Sequence, residues 1–170
     1  MEFLELAKNR YSCRNLADKP VEIEKVNKIL EAAVAAPTAC NKQPFKIWVI
    51  EKDEDIEKIK LATKFTFGAK LFFVIGAKQD RGWVRKFDGR EFASVDASIV
   101  ATHIMMEVEA LGLGTTWVGH FNNIELINQF PVMDGYDLIA IFPVGYPEED
   151  AKPMDMHFSR KSADELVERL

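Results

Sequence analysis

The stretch FASVDASIVATHIMMEVEALGLGTTWVG, Phe92 to Gly119, decides how the fold is read. Phe92 to Leu111 carries a long apolar helical pattern with no proline or glycine inside it. Val95, Ile99, His103, Met106 and Ala110 fall along one stripe, and further apolar residues lie beyond it. A helix of this kind is expected to be buried on several sides. Gly112 ends it, since glycine takes a left-handed cap without steric cost. Thr115 to Gly119 then reads as a strand. The order is helix, glycine turn, strand, and the glycines at 112, 114 and 119 do not follow GxGxxG. A dinucleotide-binding turn runs from strand to helix, so this stretch is the reverse of one.

On the N-terminal side, Leu71 to Ala77 and Phe45 to Ile50 are dense in aromatic and β-branched residues and read as buried strands. Asp53 to Lys64 between them reads as a surface helix with Ile56 and Ile59 inward. Ile23, Val26, Ile29, Leu30, Ala33 and Val34 recur at helical period, with Pro20 ahead and Pro37 as the stop. Phe3, Leu4, Leu6 and Ala7 indicate a short first helix ending near Asn9. Gln79 to Arg90 mixes charge with Gly82 and Gly89 and reads as a loop. On the C-terminal side, Asn122 to Phe130 is a short helix capped by Asn122 or Asn123. Leu138 to Val144 is a fourth strand, closing at Gly145-Tyr146-Pro147. Ser162-Ala163-Asp164-Glu165 is a capping-box pattern, which predicts a helix to Leu170. The alternation of elements predicts a sheet covered by helices. There is no repeat and no linker, so residues 1–170 read as one domain, with 146–170 a C-terminal extension that reaches toward another subunit.

The chain has 170 residues, 48% hydrophobic and 29% charged, enough for one domain with a real core. Its net charge of −5 argues against nucleic acid as partner, because such binding needs many cationic contacts. Cys13 and Cys40 form no CxxC pair, and His103, His120 and His157 are scattered, so neither a disulfide framework nor a zinc site is expected. The first residues lack a signal-peptide pattern, and the apolar run Leu71 to Ala77 is too short to span a bilayer. A cytoplasmic protein in a reducing compartment, with no membrane partner, is the expectation.

Two segments carry possible chemistry. In Arg10-Tyr11-Ser12-Cys13-Arg14, an extended backbone turns Arg10, Ser12 and Arg14 to one side. Forked guanidinium donors there suit a phosphate or carboxylate, and a solvated basic turn is the plainer alternative. In Pro37-Thr38-Ala39-Cys40-Asn41-Lys42-Gln43-Pro44, the Asn41 and Gln43 amides offer both donors and acceptors, as an imide-like ring edge would require. Ordinary turn chemistry explains the same residues. His103 reads as a satisfied core histidine and Trp117 as core. No Walker loop, GxSxG elbow, dyad or triad is present, so if the chain is an enzyme a bound cofactor carries the reaction.

These segments together resemble the nitroreductase family of flavin-dependent oxidoreductases, in its short form. Arg10 to Arg14 is similar to the family's R-x-S-x-R opening, and Ala36 to Phe45 to its A-P-S/T-x-x-N-x-Q-P-W/F segment. Asp96-Ala97-Ser98 through Thr115 resembles its long central helix and glycine exit. Gly145-Tyr146-Pro147 with Arg160-Lys161 resembles its C-terminal end. The resemblance implies an α+β fold, a mixed and mainly antiparallel sheet flanked by helices, in a homodimer with FMN at the subunit interface. It implies that Arg10, Arg160 and Lys161 hold the FMN phosphate. Ser12 and Arg14 would contact phosphate, ribityl or the pyrimidine edge. Pro37, Thr38, Ala39 and Asn41 would come from the partner subunit, and Gln43 would support Asn41 or the ribityl chain. Trp117, Val118 and Gly119 would bring backbone close to flavin N5. The implied reaction passes hydride from NAD(P)H through flavin N5 to a small electron-poor acceptor, a nitroaromatic or a quinone. Dehalogenation, enoate reduction or non-catalytic FMN binding on the same fold are the alternatives. Thr38 and Phe45 stand where serine and tryptophan are commoner, and Cys13 and Cys40 place thiols near the implied flavin.

Overall fold

The computed structural model describes residues 2–170. The elements are α1 (Phe3–Asn9), α2 (Ile23–Val34), β1 (Phe45–Ile50), α3 (Asp53–Ala62), β2 (Leu71–Ala77), α4 (Ala93–Ala110), β3 (Gly114–Thr115), α5 (Asn123–Gln129), β4 (Asp137–Gly145) and α6 (Ala163–Leu166). The four strands form one sheet in the order β1-β2-β4-β3. Every ladder is antiparallel, so the sheet is wholly antiparallel rather than mixed.

All seven residues of β2 are buried. The strand is paired on both edges and covered on both faces, which is why it reads as a continuous apolar run rather than an alternating one. Leu71, Phe73 and Ile75 join Val26 and Ile29 of α2 and Val100 and Ile104 of α4 in one apolar layer. Phe72 and Val74 face the opposite way, onto Ile56 and Ile59 of α3 and Leu126 of α5. Successive side chains pointing to opposite faces thus build two cores from one strand.

Helix α4 is buried along Ala93, Asp96, Ala97, Val100, Ala101, Ile104 and Val108. The apolar stripe of Val95, Ile99, His103, Met106 and Ala110 lies on another side, half-buried or exposed, so the helix is fully buried on one side rather than several. Both sides are apolar, so periodicity could not choose between them; the small residues Ala93, Ala97 and Ala101 win the core side because they admit close approach to the sheet. His103 is half-buried, with Nδ1 3.0 Å from the Ile99 carbonyl oxygen one turn back in the same helix.

Other boundaries shift for local reasons. The strand expected over Thr115 to Gly119 is regular only at Gly114–Thr115, and Val118 makes a separate bridge to Ile141. Helix α3 stops at Ala62, where Thr63 turns its hydroxyl to the His120 carbonyl. The capping box at Ser162 and Glu165 forms, but α6 ends at Leu166 and the residues beyond are exposed and extended from Val167. Gly112 does cap α4, with φ +71°. Gly114 is required by packing, since a Cβ there would lie 2.8 Å from Cys13 Cβ and Sγ. That close approach seats the Arg10–Arg14 segment against the end of α4, where the Cys13 amide donates to the Thr115 carbonyl at 2.9 Å.

Candidate functional site

The segment after α1 is extended, and its side chains alternate. Cys13 is buried in the core while Arg10, Ser12 and Arg14 line one pocket on the other side. The pocket holds about 200 Å³ and is completed by Met154, Met156, His157 and Arg160. The tail reaches it by running back along residues 14–17. Ala17 donates to the Tyr146 carbonyl, Glu148 to the Asn15 carbonyl, and Asn15 Nδ2 to Asp150 at 2.9 Å. Three guanidiniums therefore converge from distant parts of the chain. Lys161, next to Arg160, does not line the pocket.

Among the described residues, none of these three arginines forms an ion pair. Arg14 Nη1 donates to the Ser12 carbonyl at 3.2 Å and approaches Met154 Sδ at 3.1 Å. Arg160 Nη1 donates to the carbonyls of Met156 and Ser159. Arg10 lies near Glu109, whose carboxyl burial pushes above the usual range while the Arg10 cation pulls it back. Tyr11 is pushed up to about 12, chiefly by burial, so it stands beside the pocket as a neutral phenol. Its ring and that of Phe158 meet the His157 ring edge-on, at 6.5 and 4.9 Å between centroids. Concentrated positive charge with no ion pair to neutralise it is a site for an anion with several acceptor oxygens.

The second segment lies at the other end of α4. Pro37 ends α2's run, and Ala39–Asn41 makes a tight 3-10 turn. Cys40, Asn41 and Gln43 all take positive φ, at 52°, 52° and 50°. Left-handed non-glycine residues cost about 1–3 kcal/mol each, and such strain concentrates at functional loops. Side chains hold it in place. Thr38 Oγ1 accepts the Gln43 amide at 3.0 Å, and Gln43 Nε2 donates to Asn41 Oδ1 at 2.8 Å. Asp96 Oδ1 accepts the Ala39 amide at 2.9 Å. Lys42 Nζ donates to the Gly82 carbonyl and ties the loop of residues 79–90 alongside.

The third segment runs along the sheet edge. Val118 exchanges two backbone hydrogen bonds with Ile141, both 3.0 Å. Trp117 is 37% exposed and packs edge-on against Phe142, at 5.3 Å. It is a rim residue rather than core. A Cβ on Gly119 would meet only Trp117 Nε1, at 3.9 Å, so one side of this backbone is open.

Asp96 and Glu109 mark the two ends of α4, about 20 Å apart at 1.5 Å per residue. Within one chain, then, the Arg10 pocket and the Thr38–Gln43 loop are not brought together. Spacing in the sequence did not reveal Met154, Met156 and His157 as pocket residues, because only the path of the tail places them there. Asp96 was visible in the sequence as the start of the Asp96-Ala97-Ser98 segment, with no role assigned to its side chain. Among the described residues there is no group of three or more His, Cys, Asp or Glu that could hold a metal. No helix among them is long and apolar enough to cross a membrane.

Comparison with known proteins agrees with this fold. The nitroreductase family model matches residues 7–64 and 60–146, which spans all three segments except the tail. The chain belongs to the nitroreductase family. A nitroreductase family protein from Clostridium difficile 630 superposes with a TM-score of 0.91 at 37% identity, over 99% of this chain and 98% of that one. An FMN-dependent nitroreductase from Clostridium difficile R20291 gives 0.75 at 27% identity, over 89% and 91%. A Methanothermobacter thermautotrophicus protein named "Putative NADH dehydrogenase/NAD(P)H nitroreductase" is 29% identical over 160 residues, 92% of this chain and 83% of that protein.

Proposed function

We propose that this chain is an FMN-dependent oxidoreductase working as a homodimer, with each flavin held by both copies. The observation that carries the reading is the convergence of Arg10, Arg14 and Arg160 on one pocket with no ion pair among the described residues. That donor set fits a phosphate monoester: the guanidiniums neutralise its charge, and Ser12 adds a hydroxyl donor. Bound there, FMN supplies hydride transfer from NAD(P)H to an electron-poor acceptor such as a nitroaromatic or a quinone.

The chain's own residues bind and orient. Asn41, steadied by Gln43, offers a carboxamide to a polar ring edge, and Pro37, Thr38 and Ala39 supply short side chains that let a ring lie close. Trp117, Val118 and Gly119 offer a flat, open backbone edge. No side chain has to move a proton, which accords with the lack of any dyad or triad. The work is positioning and electrostatic neutralisation in a site shielded from water.

Two copies are needed because the ring-side loop and the cation pocket sit at opposite ends of α4. If two α4 helices pack antiparallel through their outward stripe of Val95, Ile99 and Met106, the Thr38–Gln43 loop of one copy meets the Arg10 pocket of the other. Residues 146–170 extend the interface: Met156, Phe158, Leu166 and Val167 are largely exposed in the single chain. Such apolar exposure marks a surface made to be covered.

Purification without added flavin, followed by NAD(P)H oxidation with and without a nitro compound, tests the reading. The expected result is a yellow protein whose NAD(P)H oxidation is stimulated by the acceptor. A colourless protein that takes up no FMN overturns it, and FMN binding without turnover leaves a binding protein rather than an enzyme.

A further inference from the structure

Asp96 is 2% exposed in the first turn of α4, and only one of its two carboxylate oxygens is used. Oδ1 accepts the Ala39 amide at 2.9 Å, while Oδ2 is buried with no hydrogen-bond partner among the described residues. A buried carboxylate with an unmatched oxygen is destabilising, and an apolar residue would pack in that place at lower cost. The helix N-terminus favours the negative charge there but does not by itself require it. The one polar contact the carboxylate makes is at the entry to the left-handed run Cys40, Asn41, Gln43.

Downstream of that contact the loop holds itself. The Asn41 amide donates to the Thr38 carbonyl at 3.0 Å, the Gln43 amide to Thr38 Oγ1, and Gln43 Nε2 to Asn41 Oδ1. Every one of these bonds closes within residues 38–43. Lys42 Nζ ties the turn to the Gly82 carbonyl of the neighbouring loop, and the Asp96–Ala39 bond fixes it to the rigid α4 scaffold. A strained turn without such an anchor relaxes toward ordinary φ values. We infer that Asp96 is a positioning residue: its carboxylate latches Ala39 and thereby aims the Asn41 carboxamide at the ring of the cofactor. The inference rests on the flavin reading for what Asn41 contacts, but the latch itself does not.

The test compares Asp96→Ala, which deletes the acceptor, with Asp96→Asn, which keeps an amide oxygen for Ala39. Amide hydrogen exchange in the purified protein reads the latch without any ligand. In Asp96→Ala the Ala39 and Asn41 amides should exchange at least about tenfold faster, and FMN and riboflavin should both weaken by about tenfold or more and to the same extent. In Asp96→Asn exchange and both affinities should stay within about threefold of the parent. Equal loss of both flavins separates a ring-side latch from the phosphate pocket, and rescue by asparagine separates it from general damage to the core. Should Asp96→Ala not fold, Ala39→Pro removes the donor instead. Thr38, at φ −134° and ψ 157°, already has the backbone that precedes a proline. That variant should show the same faster Asn41 exchange and the same loss of both flavins. Parent-like exchange at Asn41 in the folded alanine or proline variant, or an asparagine variant as damaged as the alanine one, overturns the inference. A parent protein that takes up no flavin would sink the flavin reading, while the exchange measurement would still decide the latch.

Discussion

Replacing Arg10 with alanine lowers FMN affinity by about 1.5–3 kcal/mol, the range for a hydrogen bond to a charged group, which is roughly 10- to 150-fold in Kd. Riboflavin, which lacks the phosphate, should bind the variant as it binds the parent. The reasoning is local. Arg10 lines a pocket of about 200 Å³ shared with Arg14 and Arg160, and none of the three forms an ion pair among the described residues. A cation outside any ion pair has little structural contact to lose, so its removal is felt by the ligand more than by the fold. Unchanged thermal unfolding beside weakened FMN is the expected signature. Unchanged FMN affinity would take Arg10 out of the site. An equal loss of riboflavin would mean that Arg10 acts on the ring side instead. For Glu109, losing the Arg10 cation leaves burial unopposed, so its carboxyl shifts further up.

Replacing Phe73 with alanine is expected to cost about 3–5 kcal/mol of stability, the range for a buried Phe truncated to Ala. Phe73 is fully buried in β2, opposite Val49 of β1 and Phe142 of β4. It belongs to the layer shared with α2 and α4, and no neighbouring surface can collapse into the vacated volume without parting the sheet from α4. Against a typical total of about 5–15 kcal/mol, that loss takes a large share. The denaturant midpoint should fall with an unchanged slope. A loss under about 1 kcal/mol would contradict the packing described here. The site would feel the change too, because Trp117 packs on Phe142, the direct neighbour of Phe73 across the ladder.

Much of this was legible in the sequence, and the failures have physical causes. The alternation of Arg10, Ser12 and Arg14 around half-buried Tyr11 and buried Cys13 follows from extended geometry alone, and β2 announces itself as a doubly covered strand. Helix α4 is legible as a helix, but its core-facing side is not, because it is apolar on two sides. The core took the side with small residues and left Val95, Ile99 and Met106 outward. Arg160 joins Arg10 only because the tail retraces residues 14–17, a path fixed by backbone pairing such as Ala17 to Tyr146 that no residue spacing encodes. Lys161 follows Arg160 in sequence yet does not line the pocket. The left-handed run at Cys40, Asn41 and Gln43 was invisible, since cysteine and glutamine are not residues that favour it. The terminal capping box predicted its helix start correctly, but Val167 onward has no apolar surface in the single chain on which to continue.

The central claim is that two copies of this chain share one flavin. Sedimentation followed at the visible flavin band tests it most directly, because only particles that carry the cofactor are seen. The account predicts that all of the bound flavin moves with a particle of twice 19.3 kDa. Flavin sedimenting stably with a single 19.3 kDa chain would contradict it.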